Sequence, residues 1–118
     1  MLTGETQESV GEWRRSVFGP APWGKVLGRM VLEVAELATL AGCPAAALDL
    51  ELAAKDLMAN GTGGPRPEVA EELADVLVVL YGVATEAGVS FSEALGAKME
   101  VNRARRWKVE GPGLGRHE

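Results

Sequence analysis

A long apolar segment in the second half of the chain constrains the fold more than any other feature. Residues 67–88 read PEVAEELADVLVVLYGVATEAG, with a proline in the first turn and a glycine at the end, which predicts one long helix. The residues that share one stripe of this helix are Val69, Leu73, Val76, Leu77 and Leu80. Val78 and Val79 lie off that stripe, so the helix is apolar nearly all round and must be covered on all sides. In a chain of 118 residues we expect part of that cover to come from another subunit.

Helix caps and helix-breaking residues predict four further helices. The first follows a Thr3 or Thr6 cap and runs to about Val17, the second runs from about Trp23 to the break at 42–44, the third covers 45–60, and the last covers about 90–109. Ser90 caps the last helix, with Glu93 at the reciprocal capping-box position. We expect the tail, about residues 110–118, to be flexible. The sequence thus predicts a single all-α domain over residues 1–118, a bundle of four to five helices assembled through helix packing between subunits.

Composition and charge narrow the class of protein. The formal net charge is -5, with acidic and basic residues interspersed, whereas a dedicated nucleic-acid binder carries a strongly basic surface. Cys43 is the only cysteine, so no intrachain disulfide forms, and we expect it to be a small buried apolar residue. The N-terminus has neither a basic start nor an apolar run, and no segment reaches about 18 consecutive apolar residues. We therefore expect a soluble cytoplasmic protein that binds neither nucleic acid nor membrane.

Residues 19–26, GPAPWGKV, come within one position of the phosphate-binding pattern G-x-x-x-x-G-K-[ST]. Val26 stands at the last position and has no oxygen to offer a metal ion. Pro20 and Pro22 remove two backbone donors, and the preceding segment looks helical instead of being a buried strand. We interpret the segment as a turn between two helices.

Two pairs of carboxylates interrupt the apolar helix faces. Glu33 and Glu36 form E-x-x-E in the second helix, and Glu72 and Asp75 form E-x-x-D in the fourth. Residues three apart share a helix face, and these acids border the apolar stripes of their helices. Carboxylates at the edge of a core repel one another unless a cation lies between them, and Mg²⁺ or Mn²⁺ prefers oxygen ligands. The alternative is that both pairs are ordinary solvated surface acids.

A basic face follows on the last helix. Lys98, Asn102 and either Arg105 or Arg106 recur at helical spacing, which places three phosphate-binding donors on one face. The alternative is a solvated basic turn that complements the helix dipole. An acidic metal-binding face and a basic helix in one small domain predict a site for a magnesium-bound polyphosphate.

The three motifs LEVAEL, EELADVL and KMEVNRARRW, in this order, resemble the MazG-like all-α nucleoside triphosphate pyrophosphohydrolases. The resemblance covers roughly Trp23 to Trp107 and is strongest to the small single-domain type, related to dCTP pyrophosphatase and phage MazZ-like enzymes. One departure is Leu32, which stands where many relatives have an additional glutamate before E-x-x-E. This departure leaves open the number of metal ions and the identity of the general base.

The resemblance implies hydrolysis of a (d)NTP to the monophosphate and pyrophosphate. It implies that Glu33, Glu36, Glu72 and Asp75 bind two or three Mg²⁺ ions, which Mn²⁺ can replace. It also implies that Lys98, Asn102 and Arg105 or Arg106 hold the triphosphate. Glu36 is our choice for the general base, and Glu33 is the other catalytic candidate. Relatives are dimers or dimers of dimers, which agrees with the apolar fourth helix.

The base that the site accepts is less clearly encoded. Trp13, Trp23 and Trp107 are candidate stacking platforms for a base, although a packing or interface role is the more ordinary one for each. The tail after residue 107 resembles phage-encoded members that act on purine deoxynucleotides, which suggests dGTP or dATP as substrate in a host cytoplasm, with dCTP or dUTP as the alternative.

Two alternatives belong to other classes of protein. A di-iron bundle needs Glu-x-x-His pairs, which this chain lacks because His117 is its only histidine. A non-catalytic helical interaction module remains the second hypothesis.

Overall fold

The computed structural model describes residues 4–64, 67–111 and 113–118. Within these ranges the chain forms five helices and one two-stranded antiparallel sheet. The elements are α1 (Gln7–Phe18), α2 (Trp23–Leu40), α3 (Pro44–Asn60), α4 (Pro67–Glu86), α5 (Phe91–Ala104), β1 (Trp107–Gly111) and β2 (Leu114–His117). The mostly helical architecture and the order of the helices agree with the sequence prediction, whereas the small sheet was not predicted.

Local capping sets the two ends of α1, as the sequence indicates. The hydroxyl of Thr6 accepts a hydrogen bond from the Ser9 backbone N–H at 3.1 Å, and the Ser9 hydroxyl accepts one from the Thr6 N–H at 2.8 Å. Of the two predicted caps Thr6 is therefore the one used, while Thr3 lies outside the described residues. Gly19 ends α1 at a φ of 81°, a left-handed conformation that glycine adopts without strain.

The packing between α2 and α3 is built from small residues, while two larger buried side chains, Phe18 and Met99, lie in α1 and α5. A Cβ on Gly28 would stand 2.8 Å from the Met58 nitrogen, and one on Gly24 would meet the Thr62 backbone. Three alanines, Ala35, Ala47 and Ala54, are buried at 4% exposure or less. The apolar side chains of Val26, Met30, Val34 and Leu37 recur at helical spacing along α2, but they do not form this packing. Met30 is 39% exposed and Leu37 49%, because α3 approaches α2 on its small-residue side.

The structure near the C-terminus shows that two predictions are wrong. The final helix ends at Ala104, not near residue 109, and the predicted flexible tail is a β-hairpin in which Val109 pairs with Gly115. The hairpin packs on the end of α1, because the Gly113 N–H donates to the Phe18 carbonyl at 2.9 Å. Gly113 has a φ of 71°, and a Cβ there would collide with Ala21, so the turn depends on glycine.

Helix α4 has no buried residue. Its large apolar side chains stay open, with Val78 69% and Val79 66% exposed. The prediction that another subunit covers this helix remains a prediction. No single helix in the described part of the chain has both the length and the hydropathy to cross a membrane, and α4 and α5 reach those limits only as a pair bent by 98°.

Cys43 was predicted to be buried, and this prediction is wrong. The cysteine is exposed at the position that precedes α3, where Pro44 begins the helix. Residues 41–46, which include the connection between α2 and α3, are all exposed, so the apolar character of cysteine does not decide its burial here.

Candidate functional site

A groove of about 1870 Å³ runs between α1, the first turns of α2 and the first turns of α4. Its apolar floor comes mainly from Trp23, Val26, Leu27, Met30, Leu73 and Val76. Arg14 and Arg15 of α1 and Glu68 and Glu72 of α4 add charge to its walls. Apolar lining with a few convergent charged groups is the ordinary composition of a small-molecule site.

Of the residues predicted from sequence to form a site, Glu72 and Trp23 line this groove. The Trp23 indole is 42% exposed and donates its Nε1–H to the Gly64 carbonyl at 3.1 Å. That hydrogen bond fixes the ring at the groove edge while leaving part of its surface open. Trp23 is thus placed where a base could stack on it.

The other predicted metal ligands are dispersed. Glu33 is paired with Arg29, with 2.9 Å between Oε1 and Nη2, and Glu36 and Asp75 are exposed. Across residues 4–64, 67–111 and 113–118, no three His, Cys, Asp or Glu side chains form a group that could hold a metal ion. The four carboxylates therefore do not constitute a metal site in the arrangement seen within one chain. Their role as magnesium ligands stays a prediction.

The predicted phosphate-binding residues surround the end of α5. Lys98 and Arg106 are exposed, and Nη1 of Arg105 lies 3.5 Å from Nδ1 of His117. Asn102 has a structural contact, because its backbone carbonyl accepts the Trp107 Nε1–H at 2.8 Å. The Asn102 Oδ1 atom is buried and has no hydrogen-bond partner among the described residues. Its Nδ2 donates to the Met99 sulfur at 3.7 Å, and its role in binding phosphate stays a prediction.

Trp13 and Trp107 belong to a packed aromatic cluster with Phe18. Ring centroids are separated by 5.5 Å for the two tryptophans, 5.8 Å for Trp13 and Phe18, and 5.3 Å for Phe18 and Trp107. All three pairs are edge-to-face, the arrangement that aromatic quadrupoles favour. The packing alternative that the sequence left open thus describes their contacts in this structure, whereas Trp23 is the tryptophan at the groove.

Lys25 occupies the position that a phosphate-binding loop would give to its lysine. Its ammonium donates to the carbonyls of Met58 and Ala59 at 2.9 and 3.1 Å. These are among the last carbonyls of α3, which lack helical partners and attract a cation. The lysine therefore caps a helix. Residues 19–22 connect α1 and α2, as the turn interpretation predicts, whereas residues 23–26 form the first turn of α2.

Arg14 was missed by the sequence analysis. It is half-buried, donates from Nη2 to the Gly113 carbonyl at 3.0 Å, and places its guanidinium carbon 5.2 Å from the centroid of the Phe18 ring. Burial, followed by the positive charge of Arg29, lowers the pKa of Arg14. The one available signal was its spacing four residues before Phe18, which brings the two side chains together on a helix.

Comparison with known proteins gives one partial similarity. A dATP/dGTP diphosphohydrolase from Cyanophage S-2L is 46% identical to this chain over 46 residues, which are 39% of this chain and 44% of that protein. The matched stretch thus spans less than half of the relative. No family model matches the sequence, and no solved structure matches it.

Proposed function

We propose that this protein hydrolyses a purine deoxynucleoside triphosphate to the monophosphate and pyrophosphate. The observation that carries the proposal is the 46% identity to part of a phage dATP/dGTP diphosphohydrolase. The groove supports it, since Trp23 offers an aromatic face and Glu72 and Arg14 offer opposite charges within one cleft. Such a cleft suits a ligand that is apolar at one end and charged at the other.

We propose Mg²⁺ as the cofactor, with Glu33, Glu36, Glu72 and Asp75 as its ligands. The single chain does not assemble these residues, so binding requires α4 to approach α2 more closely than it does here. Because α4 carries two of the four carboxylates and is uncovered, we propose that self-association to a dimer or tetramer positions it. Metal binding and self-association are then coupled, and Mg²⁺ should shift the protein towards the larger species in light scattering.

Pyrophosphate release from dATP, dGTP, dCTP, dUTP and the ribonucleotides, with Mg²⁺, Mn²⁺ or EDTA, tests the reaction. We expect metal-dependent formation of the monophosphate from dATP and dGTP, without a diphosphate intermediate. Preference for dCTP or dUTP would contradict the purine assignment, and turnover in EDTA would contradict the metal. No turnover of any nucleotide would refute the reaction and favour the helical interaction module.

A pair of matched variants tests the site. Glu72→Gln removes the carboxylate that lines the groove, and we expect turnover to fall by about 100-fold. Glu51→Gln makes the same change on the exposed surface of α3 and should leave turnover unchanged. Equal activity of both variants would show that hydrolysis does not use this groove.

A further inference from the structure

Arg14 is a groove-lining cation whose counter-charge is not supplied within the described residues. It lies on the wall formed by α1, and no carboxylate in residues 4–64, 67–111 or 113–118 forms an ion pair with it. The nearby Arg29 adds positive charge and is itself paired with Glu33. A half-buried charge of this kind is unfavourable unless something negative binds beside it.

The surrounding structure holds the guanidinium in place. Its two fixed contacts are the Gly113 carbonyl and the Phe18 ring, so the C-terminal hairpin and the end of α1 together set its position. An arginine side chain has five N–H donors, and one hydrogen bond to a described residue is present here. The remaining donors form the planar fork that matches phosphate oxygens.

We propose that Arg14 binds the phosphate chain of the nucleotide in this groove. The inference rests on the proposed function for the identity of the ligand, and it adds an α1 residue to the phosphate contacts expected of α5. The hairpin thereby becomes part of the binding machinery, since Gly113 anchors the arginine. With the phosphate chain at Arg14, the base would lie on the apolar floor of the same groove, which Trp23 borders.

Binding of inorganic tripolyphosphate, measured by calorimetry with Mg²⁺ and again with EDTA, tests Arg14 without any need for turnover. We expect Arg14→Gln to weaken binding about tenfold or more, and Arg14→Lys, which keeps the charge without the fork, to weaken it less. Lys55→Gln is the control, because it removes one positive charge from an exposed side chain of α3 that does not line the groove. In turnover, Arg14→Gln should raise KM for dATP by a similar factor.

The outcomes separate this inference from the proposed reaction. Arg14-dependent tripolyphosphate binding by a protein that hydrolyses no nucleotide would keep the inference and refute the reaction. If the protein hydrolyses dATP but Arg14→Gln leaves both the tripolyphosphate affinity and the KM for dATP unchanged, the inference is refuted and the reaction stands. Failure of the wild-type protein to bind tripolyphosphate would also refute the inference alone. The unfolding temperature of each free variant identifies a loss of structure, and Arg14→Lys carries the test if Arg14→Gln does not fold.

Discussion

Gly28→Ala should destabilise the protein, although alanine is the better helix former. The added Cβ would lie 2.7 Å from Cγ of Met58, 2.8 Å from its backbone nitrogen and 2.9 Å from the Ala54 carbonyl oxygen. The methionine side chain can rotate away, but the other two atoms belong to the α3 backbone. They can move only if α2 and α3 separate, which would loosen the packing of the buried alanines.

Two opposing terms set the magnitude. Replacing glycine by alanine inside a helix stabilises it by about 0.8–1 kcal/mol. Overpacking a closely packed contact costs typically about 1–3 kcal/mol, and two rigid backbone contacts place Gly28 in the upper part of that range. We expect a net loss of about 1–2 kcal/mol in the free energy of unfolding.

Urea unfolding followed by far-ultraviolet circular dichroism, at one fixed protein concentration, measures this loss. The midpoint should fall by roughly 0.5–1 M at an unchanged slope. Gly11→Ala is the control, because a Cβ at Gly11 in α1 meets nothing within 4 Å and only the propensity gain applies. If Gly28→Ala raised the midpoint as Gly11→Ala does, the close approach of α2 and α3 would be refuted.

Two further predictions concern charged groups. Lys25→Met removes the cation from the end of α3 and should lower the free energy of unfolding by about 1 kcal/mol in the same urea assay. Nucleotide affinity should stay unchanged, and a large loss of affinity would support the phosphate-loop interpretation instead. The hydrogen bond from Arg103 lowers the pKa of Glu5 in the folded protein below its ordinary value of 4.5. The Glu5–Arg103 pair therefore stabilises the fold fully above pH 4.5, and this stabilisation is lost as the pH falls through the pKa of Glu5 in the folded protein. Arg103→Gln should abolish that part of the acid sensitivity in a pH series of thermal unfolding, and an unchanged pH profile would contradict the pairing.

The helix boundaries could be predicted because their causes are local. Thr6, Gly19 and Pro67 act on the backbone within one turn, and the observed ends lie within a few residues of the predicted ones for the first four helices. The hairpin could not be found in this way. Its turn residues looked like a flexible tail, and its pairing is supported by contacts with Phe18 at the other end of the sequence.

The core and the candidate site were also harder to predict from the sequence, because both depend on contacts between elements. Periodicity identifies apolar stripes such as the one through Met30 on α2. It does not tell whether the neighbouring helix packs on that stripe or on a face of glycine and alanine. The carboxylates of Glu33 and Glu72 could be recognised by type and spacing. Whether they meet depends on where α4 lies, and packing within one chain leaves that helix uncovered.

The docking of the hairpin on α1 has a consequence for the order in which the molecule folds. The Arg14 and Gly113 partners are 99 residues apart, and Glu5 and Arg103 are 98 apart, whereas α2 and α3 are neighbours along the chain. Contacts of such sequence separation form slowly, because a long loop must close before they contribute. During synthesis the α2 and α3 pair can form early, while Phe18 stays uncovered until residue 113 and its neighbours have left the ribosome.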